Sequence, residues 1–184
     1  YKKHNRDYDY DSFPEKYFKE NSTERVQVNK LCIDFQDILE LADMCHTVAN
    51  FMPCPKNFNS AKGLLGDVRD YFPLMIDKIQ ECVDYGKDLK YNCSGISQKV
   101  DNKIVNDWHS FFIENQEKYC LSVYYQVNEN RIKGIKFFEG QSLSHPYPKN
   151  EEEVKECLKN MLKTINDRAD LILEKYNEEH KSNI

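Results

Sequence analysis

The chain has 184 residues, of which 40% are apolar and 31% charged, and its net charge is −5. That length fits one domain, the charged fraction describes a strongly solvated surface, and twelve tyrosines, ten phenylalanines and one tryptophan supply core bulk that a disordered chain lacks. The acidic balance argues against a general nucleic-acid binder, no run approaches the roughly 20 apolar residues needed to cross a bilayer, and the N-terminal YKKHNRDYDYDSF lacks the apolar centre of a secretory signal, so a cytoplasmic protein is expected.

Residues 1–28 are polar, with Tyr8, Tyr10, Phe13, Tyr17 and Phe18 among charges, and read as an aromatic-rich arm packed on the body of a single domain spanning 1–184. From Leu31, the apolar positions Phe35, Ile38, Ala42 and Cys45 follow helical spacing, which predicts an amphipathic helix over 30–51. Pro53 and Pro55 end it, and 53–69 reads as a loop with Asn57, Asn59, Ser60, Gly63 and Gly66 as turn-formers. Pro73 suits the first turn of the next helix, whose stripe is Phe72, Ile76, Ile79 and Val83 and whose stop is Gly86.

Residues 87–99 read as another loop, with Asn92, Ser94 and Gly95. Asp101 can cap a third helix that places Ile104, Trp108, Phe111 and Phe112 on one face, with His109 turned toward a boundary or solvent. Alternation through Leu121, Val123, Tyr125 and Val127, turn-formers Asn128, Asn130 and Gly134, and a second extended piece at Ile135, Phe137 and Phe138 predict a small hairpin. Asn150 with Glu153 resembles a capping box, and Val154, Leu158, Met161, Ile165, Ala169 and Ile172 then keep one helical face. The expected fold is mainly α: one helical domain of about four to six helices, with a small β-hairpin or irregular insert near 120–140.

Seven cysteines (Cys32, Cys45, Cys54, Cys82, Cys93, Cys120 and Cys157) fall mostly where an apolar residue would serve, without C-x2-C or H-x3-H pairs. Reduced structural thiols are expected, with no metal site and no cofactor.

The chemistry-bearing residues gather in Met44 to Asn59, where a helix runs into two prolines and an asparagine-bearing loop. His46 and Asn50, four apart, share a helix face, so His46 can act as a general base with Asn50 holding its tautomer or a ligand carbonyl; equally, both can tie down the orphan carbonyls of the helix end. Asp70 is placed to cap the next helix or to orient His46, Asn59 and Lys62 lie in the loop between, and Arg168 in the last helix either snorkels or meets a carboxylate such as Asp170. Trp108 reads as core, and His145 as a loop histidine beside Pro146. Phosphate-loop, dinucleotide, zincin and nucleophile-elbow signatures are absent, as is the short arginine-to-histidine spacing of helical ribonuclease toxins.

His46-Thr47-Val48-Ala49-Asn50-Phe51-Met52-Pro53 with Phe58-Asn59, then Asp70-Tyr71-Phe72, then Pro146-Tyr147-Pro148 before a helix carrying Arg168, resembles a family of uncharacterised small bacterial proteins known only as a domain of unknown function. The resemblance spans residues 30–170, with Ala49 in place of a glycine and Lys62 near an expected arginine. It implies a bacterial or phage-related intracellular protein and no activity.

The leading expectation is an intracellular helical binding module that recognises a protein partner or a small polar ligand through Asn50, Asn59, Lys62 and Arg168. The alternative is a metal-independent hydrolase or nuclease with His46 as base and Asp70 as its orienter, and a third is a phage- or defence-related effector acting through protein contacts.

Overall fold

The computed structural model describes residues 2–3, 6–7, 40–41, 44, 47–59, 61, 71–93 and 96–181. Strands β1 (Lys2–Lys3) and β2 (Arg6–Asp7) form a two-residue antiparallel ladder. A 3-10 turn at Val48–Asn50 precedes helix α1 (Phe72–Tyr85), the hairpin β3 (Leu89–Cys93) and β4 (Ile96–Val100), helix α2 (Asn102–Asn115), the hairpin β5 (Tyr125–Asn128) and β6 (Arg131–Gly134), and helix α3 (Glu151–Lys181).

The helix ends follow their local chemistry. Pro73 sits in the first turn of α1, where a missing N–H costs nothing, and Gly86 closes the helix at φ 59 with its N–H on the Cys82 and Val83 carbonyls. Asp101 caps α2 by accepting from the Lys103 N–H at 2.7 Å. At α3, Asn150 accepts from the Glu153 N–H at 2.9 Å, while the Glu153 carboxylate takes the Asn150 amide at 2.9 Å and the Lys149 N–H at 2.8 Å. This is the capping box read from the sequence, with the glutamate reaching one residue further back than usual.

Phe58 is fully buried at the centre of the aromatic core, edge-on to Trp108 at 5.4 Å, Phe112 at 5.2 Å and Phe72 at 6.2 Å. The rings meet in the T-shaped geometry that sets the positive edge of one on the negative face of another. Leu74, Met75, Ile76 and Ile79 of α1 complete the core with Leu121, Tyr125 and Ile132. The Trp108 indole N–H donates to the Lys56 carbonyl at 3.0 Å, so α2 pins the proline segment as well as packing on Phe58.

Helix α1 lies along the outer edge of β6 and takes the place of a third strand. In a two-residue hairpin, every second residue of a strand turns its N–H away from its partner. Here those groups belong to Ile132 and Gly134, and they donate to Gln80 Oε1 at 2.8 Å and Asp77 Oδ1 at 2.7 Å, side chains one helical turn apart. The approach is so close that a Cβ on Gly134 would stand 2.0 Å from the Pro73 carbonyl oxygen.

Several expectations are overturned. In place of four to six helices, the described residues form three, with two β-hairpins built into a mixed α/β fold. Residues 87–99, expected as loop, hold β3 and β4 in the register Leu89↔Val100 to Cys93↔Ile96. Asn92, expected in the loop, is a strand residue paired with Ser97, and Leu89 and Val100 at the other end of the ladder are buried in the core. The second hairpin lies within 120–140 but turns at Glu129 and Asn130; Gly134, expected in the turn, is a strand residue placed by the nearness of Pro73. It is no insert, since Tyr125 and Ile132 are core residues. Residues 58, 59 and 61 are helical within the expected 53–69 loop. The 30–51 helix and the 1–28 arm lie largely outside the described residues; residues 40, 41 and 44 are helical, and the segment finishes in the 3-10 turn.

A candidate ligand cleft between α1 and the second hairpin

On β5 and β6 the register pairs Gln126 with Lys133 and Asn128 with Arg131. Alternation places these four side chains on one face of the hairpin, opposite Ile132 and Tyr125. They face a flank of α1 made of Asp77, Gln80, Glu81, Asp84 and Tyr85, and the two walls enclose a cleft of about 460 Å³. That volume lies within the roughly 300–1,000 Å³ of typical ligand pockets.

Gln80 organises the floor. Its Oε1 accepts from the Ile132 N–H at 2.8 Å and contacts His109 Nε2 at 2.9 Å, and its amide nitrogen donates to Asp84 Oδ1 at 2.8 Å. An oxygen that accepts a backbone N–H has only acceptor capacity to offer His109, so Nε2 carries the proton and donates. Burial pushes the His109 pKa below its ordinary value, with Asp84 pulling it up and Arg131 pushing it further down. His109 is therefore neutral at pH 7 and buried, not turned to solvent as the sequence suggested.

Asp84 closes the chain as a bidentate pair with Arg131, at 2.9 and 2.6 Å. The Arg131 hydrogen bonds, with help from Gln80, hold the Asp84 carboxyl below its usual range and keep it ionised. The other carboxylates are matched too: Asp77 with Lys136 and Glu81 with Lys78 at 2.9 Å. Gln126, Asn128 and Lys133 are exposed, and their side chains make no hydrogen bond or ion pair among the described residues. Tyr85, 67% exposed, stands at the end of the α1 wall with the Lys87 ammonium over its ring at 4.7 Å.

Of the residues singled out in the sequence, His46, Lys62 and Asp70 lie outside the described residues. Asn50 is half-buried in the 3-10 turn and Asn59 is exposed. Arg168 does meet the 46–59 segment, but as a clamp. Its Nη1 donates to the Ala49 and Phe51 carbonyls at 2.7 and 2.9 Å, and its Nε and Nη2 to the Tyr119 carbonyl at 3.4 and 3.2 Å. Arg168 is 3% exposed and neither snorkels nor bonds Asp170, and four of its N–H groups are committed to backbone. The Tyr124 hydroxyl is buried beside this guanidinium without a hydrogen bond of ordinary geometry, and burial raises its pKa.

His145 is also structural: Nε2 lies 3.1 Å from Glu153, and the ring packs edge-on to Phe138 at 5.4 Å. The thiols of Cys82 and Cys157 are buried, and burial raises both pKa values, that of Cys157 to about 11, which keeps them protonated and poorly nucleophilic. Among the described residues no three His, Cys, Asp or Glu side chains cluster as metal ligands, and no helix is long and apolar enough to cross a membrane. The cleft residues were missed because no motif marks them. The available signal was geometric: α1 sets Asp77, Gln80, Glu81 and Asp84 on one flank beside its apolar stripe, and two amides alternate on β5 opposite two cations on β6.

No protein-family model matches this chain, and neither a curated protein nor a solved structure shows significant similarity to it.

Proposed function

We propose that this chain is a binding module for a small polar ligand, held in the cleft between α1 and β5–β6. The observation that supports this reading is the contrast within the cleft. Its carboxylates, Gln80 and Arg131 are already satisfied and rigid, while Gln126, Asn128 and Lys133 are presented without protein partners. A preformed wall with free hydrogen-bonding groups opposite is suited to binding. It is poorly suited to acid–base work, because His109 spends its Nε2 proton on Gln80, the three carboxylates are each paired to a cation, and no Ser, Thr or Cys lines the cleft.

The test is a thermal-shift screen of small polar compounds on the wild type and on a Gln126→Ala/Asn128→Ala double variant. A bound ligand raises Tm by mass action, and the double variant should lose that gain while keeping its own Tm. If no compound raises Tm, or if the active compounds act equally on both proteins, the reading is wrong. A protein partner is the second reading, favoured by Val48 and Phe51, 70% and 62% exposed on the turn that Arg168 holds rigid. A photo-crosslinker placed at Phe51 should then capture one partner that a probe at Lys90 does not.

A further inference from the structure

Building on the cleft as the binding site, we propose that its ligand is a neutral polyhydroxylated molecule, a saccharide, that lays the C–H face of one sugar ring on Tyr85 and hydrogen-bonds to Gln126 and Asn128.

Charge selection is the first consideration. A ligand with net charge needs an uncompensated counter-charge in its site, and the cleft holds few. Asp77, Glu81 and Asp84 each have a cationic partner, and Arg131 is paired to Asp84 through two nitrogens. An anion would have to break the Arg131–Asp84 pair or rely on Lys133, a solvated strand lysine. A cation would have to displace Lys136, Lys78 or Arg131 from carboxylates they already satisfy.

Hydrogen-bonding capacity is what remains. Gln126 and Asn128 each offer an amide donor and an acceptor side by side, and the Asp84 and Glu81 carboxylates keep free lone pairs. Sugar hydroxyls both donate and accept, so adjacent hydroxyls match these planar groups in pairs. Charged ligands use half of that set.

Tyr85 adds the apolar half of the match. It lines the cleft at the last turn of α1 and is two-thirds exposed, so its ring is accessible to a ligand. Pyranose C–H groups carry partial positive charge and suit the negative face of an aromatic ring, the same attraction that holds the Lys87 ammonium over it. A further cleft of about 590 Å³, lined by Lys78, Glu81, Gly86 and Lys87, shares Glu81 with the first and offers room for additional sugar units.

The experiment is calorimetric titration of the full chain with neutral tetrasaccharides (cellotetraose, maltotetraose, chitotetraose) and, in parallel, with citrate and spermidine. At least one tetrasaccharide should bind, with Tyr85→Ala and Asn128→Ala each weakening it about ten-fold and Tyr85→Phe leaving it unchanged. Both variants alter exposed side chains, and unchanged Tm values exclude a folding defect. Binding of citrate or spermidine alone, weakened by Asn128→Ala, would overturn the saccharide and leave the cleft as the site. Absence of binding by every probe, or saccharide binding indifferent to both alanine variants, would overturn the proposal and remove its support from the cleft.

Discussion

Replacing Arg168 with methionine tests how the 3-10 turn and Phe51 are joined to the body. The guanidinium makes four hydrogen bonds to three carbonyls from two segments: Ala49 and Phe51 in the 3-10 turn, and Tyr119 after α2. Methionine fills similar volume but donates nothing. The bond to Ala49 is fully buried, so that carbonyl cannot recover water and loses about 1–3 kcal/mol, while the part-buried Phe51 and Tyr119 carbonyls rehydrate in part. Relief of the guanidinium's own desolvation offsets some of the loss, leaving a net destabilisation of about 2–4 kcal/mol. Urea unfolding should show a lowered midpoint at unchanged slope, which separates lost stability from a changed denatured state. Arg168→Lys should recover less than half, because one ammonium cannot reach both segments. A loss below about 0.5 kcal/mol for Arg168→Met would refute the clamp. Ligand binding in the α1–hairpin cleft should be unchanged in either variant.

Gly134→Ala forces a Cβ against the Pro73 carbonyl and should lower stability by about 1–3 kcal/mol in the same assay, as overpacking does, with an effect near zero refuting the close approach of β6 to α1. Asp101→Ala should cost about 1 kcal/mol through loss of the α2 cap, and Asp101→Asn should restore most of it. His109, whose pKa is lower folded than unfolded, binds fewer protons in the folded chain. Its stabilisation is complete above the ordinary value of 6.5 and falls as pH drops through 6.5 toward the folded value, above the ordinary carboxylate values of 4.5 for glutamate and 3.8 for aspartate. His109→Gln should flatten the stability profile across that window, and an unchanged profile would contradict the buried neutral histidine.

Helix ends were the most legible features of the chain, because caps are local chemistry. Pro73, Gly86, Asp101 and the Asn150–Glu153 box all sit where their side chains dictate. The hairpin at 89–100 was misread because its turn residues fill so much of a short segment that its strands vanish among them; only the buried pair Leu89 and Val100 at the open end reveals that it belongs to the core. Arg168 was visible as an anomaly on an apolar stripe, but its acceptors are backbone carbonyls from segments over a hundred and about fifty residues away, and carbonyls leave no mark in a sequence. Gln80 illustrates the same limit. No motif or apolar stripe marks it, and only the arrival of β6 and α2 makes it the buried joint between Ile132, His109 and Asp84.

The cleft is most directly tested by recording amide spectra of the ¹⁵N-labelled chain while adding the tightest-binding tetrasaccharide. Shifts should concentrate at Tyr85, Gln126, Asn128, Arg131 and Lys133, leaving Ala49, Phe51 and Ile172 unmoved. Shifts confined to the 48–51 turn and α3, or spread without focus over the chain, would contradict a site between α1 and the β5–β6 hairpin.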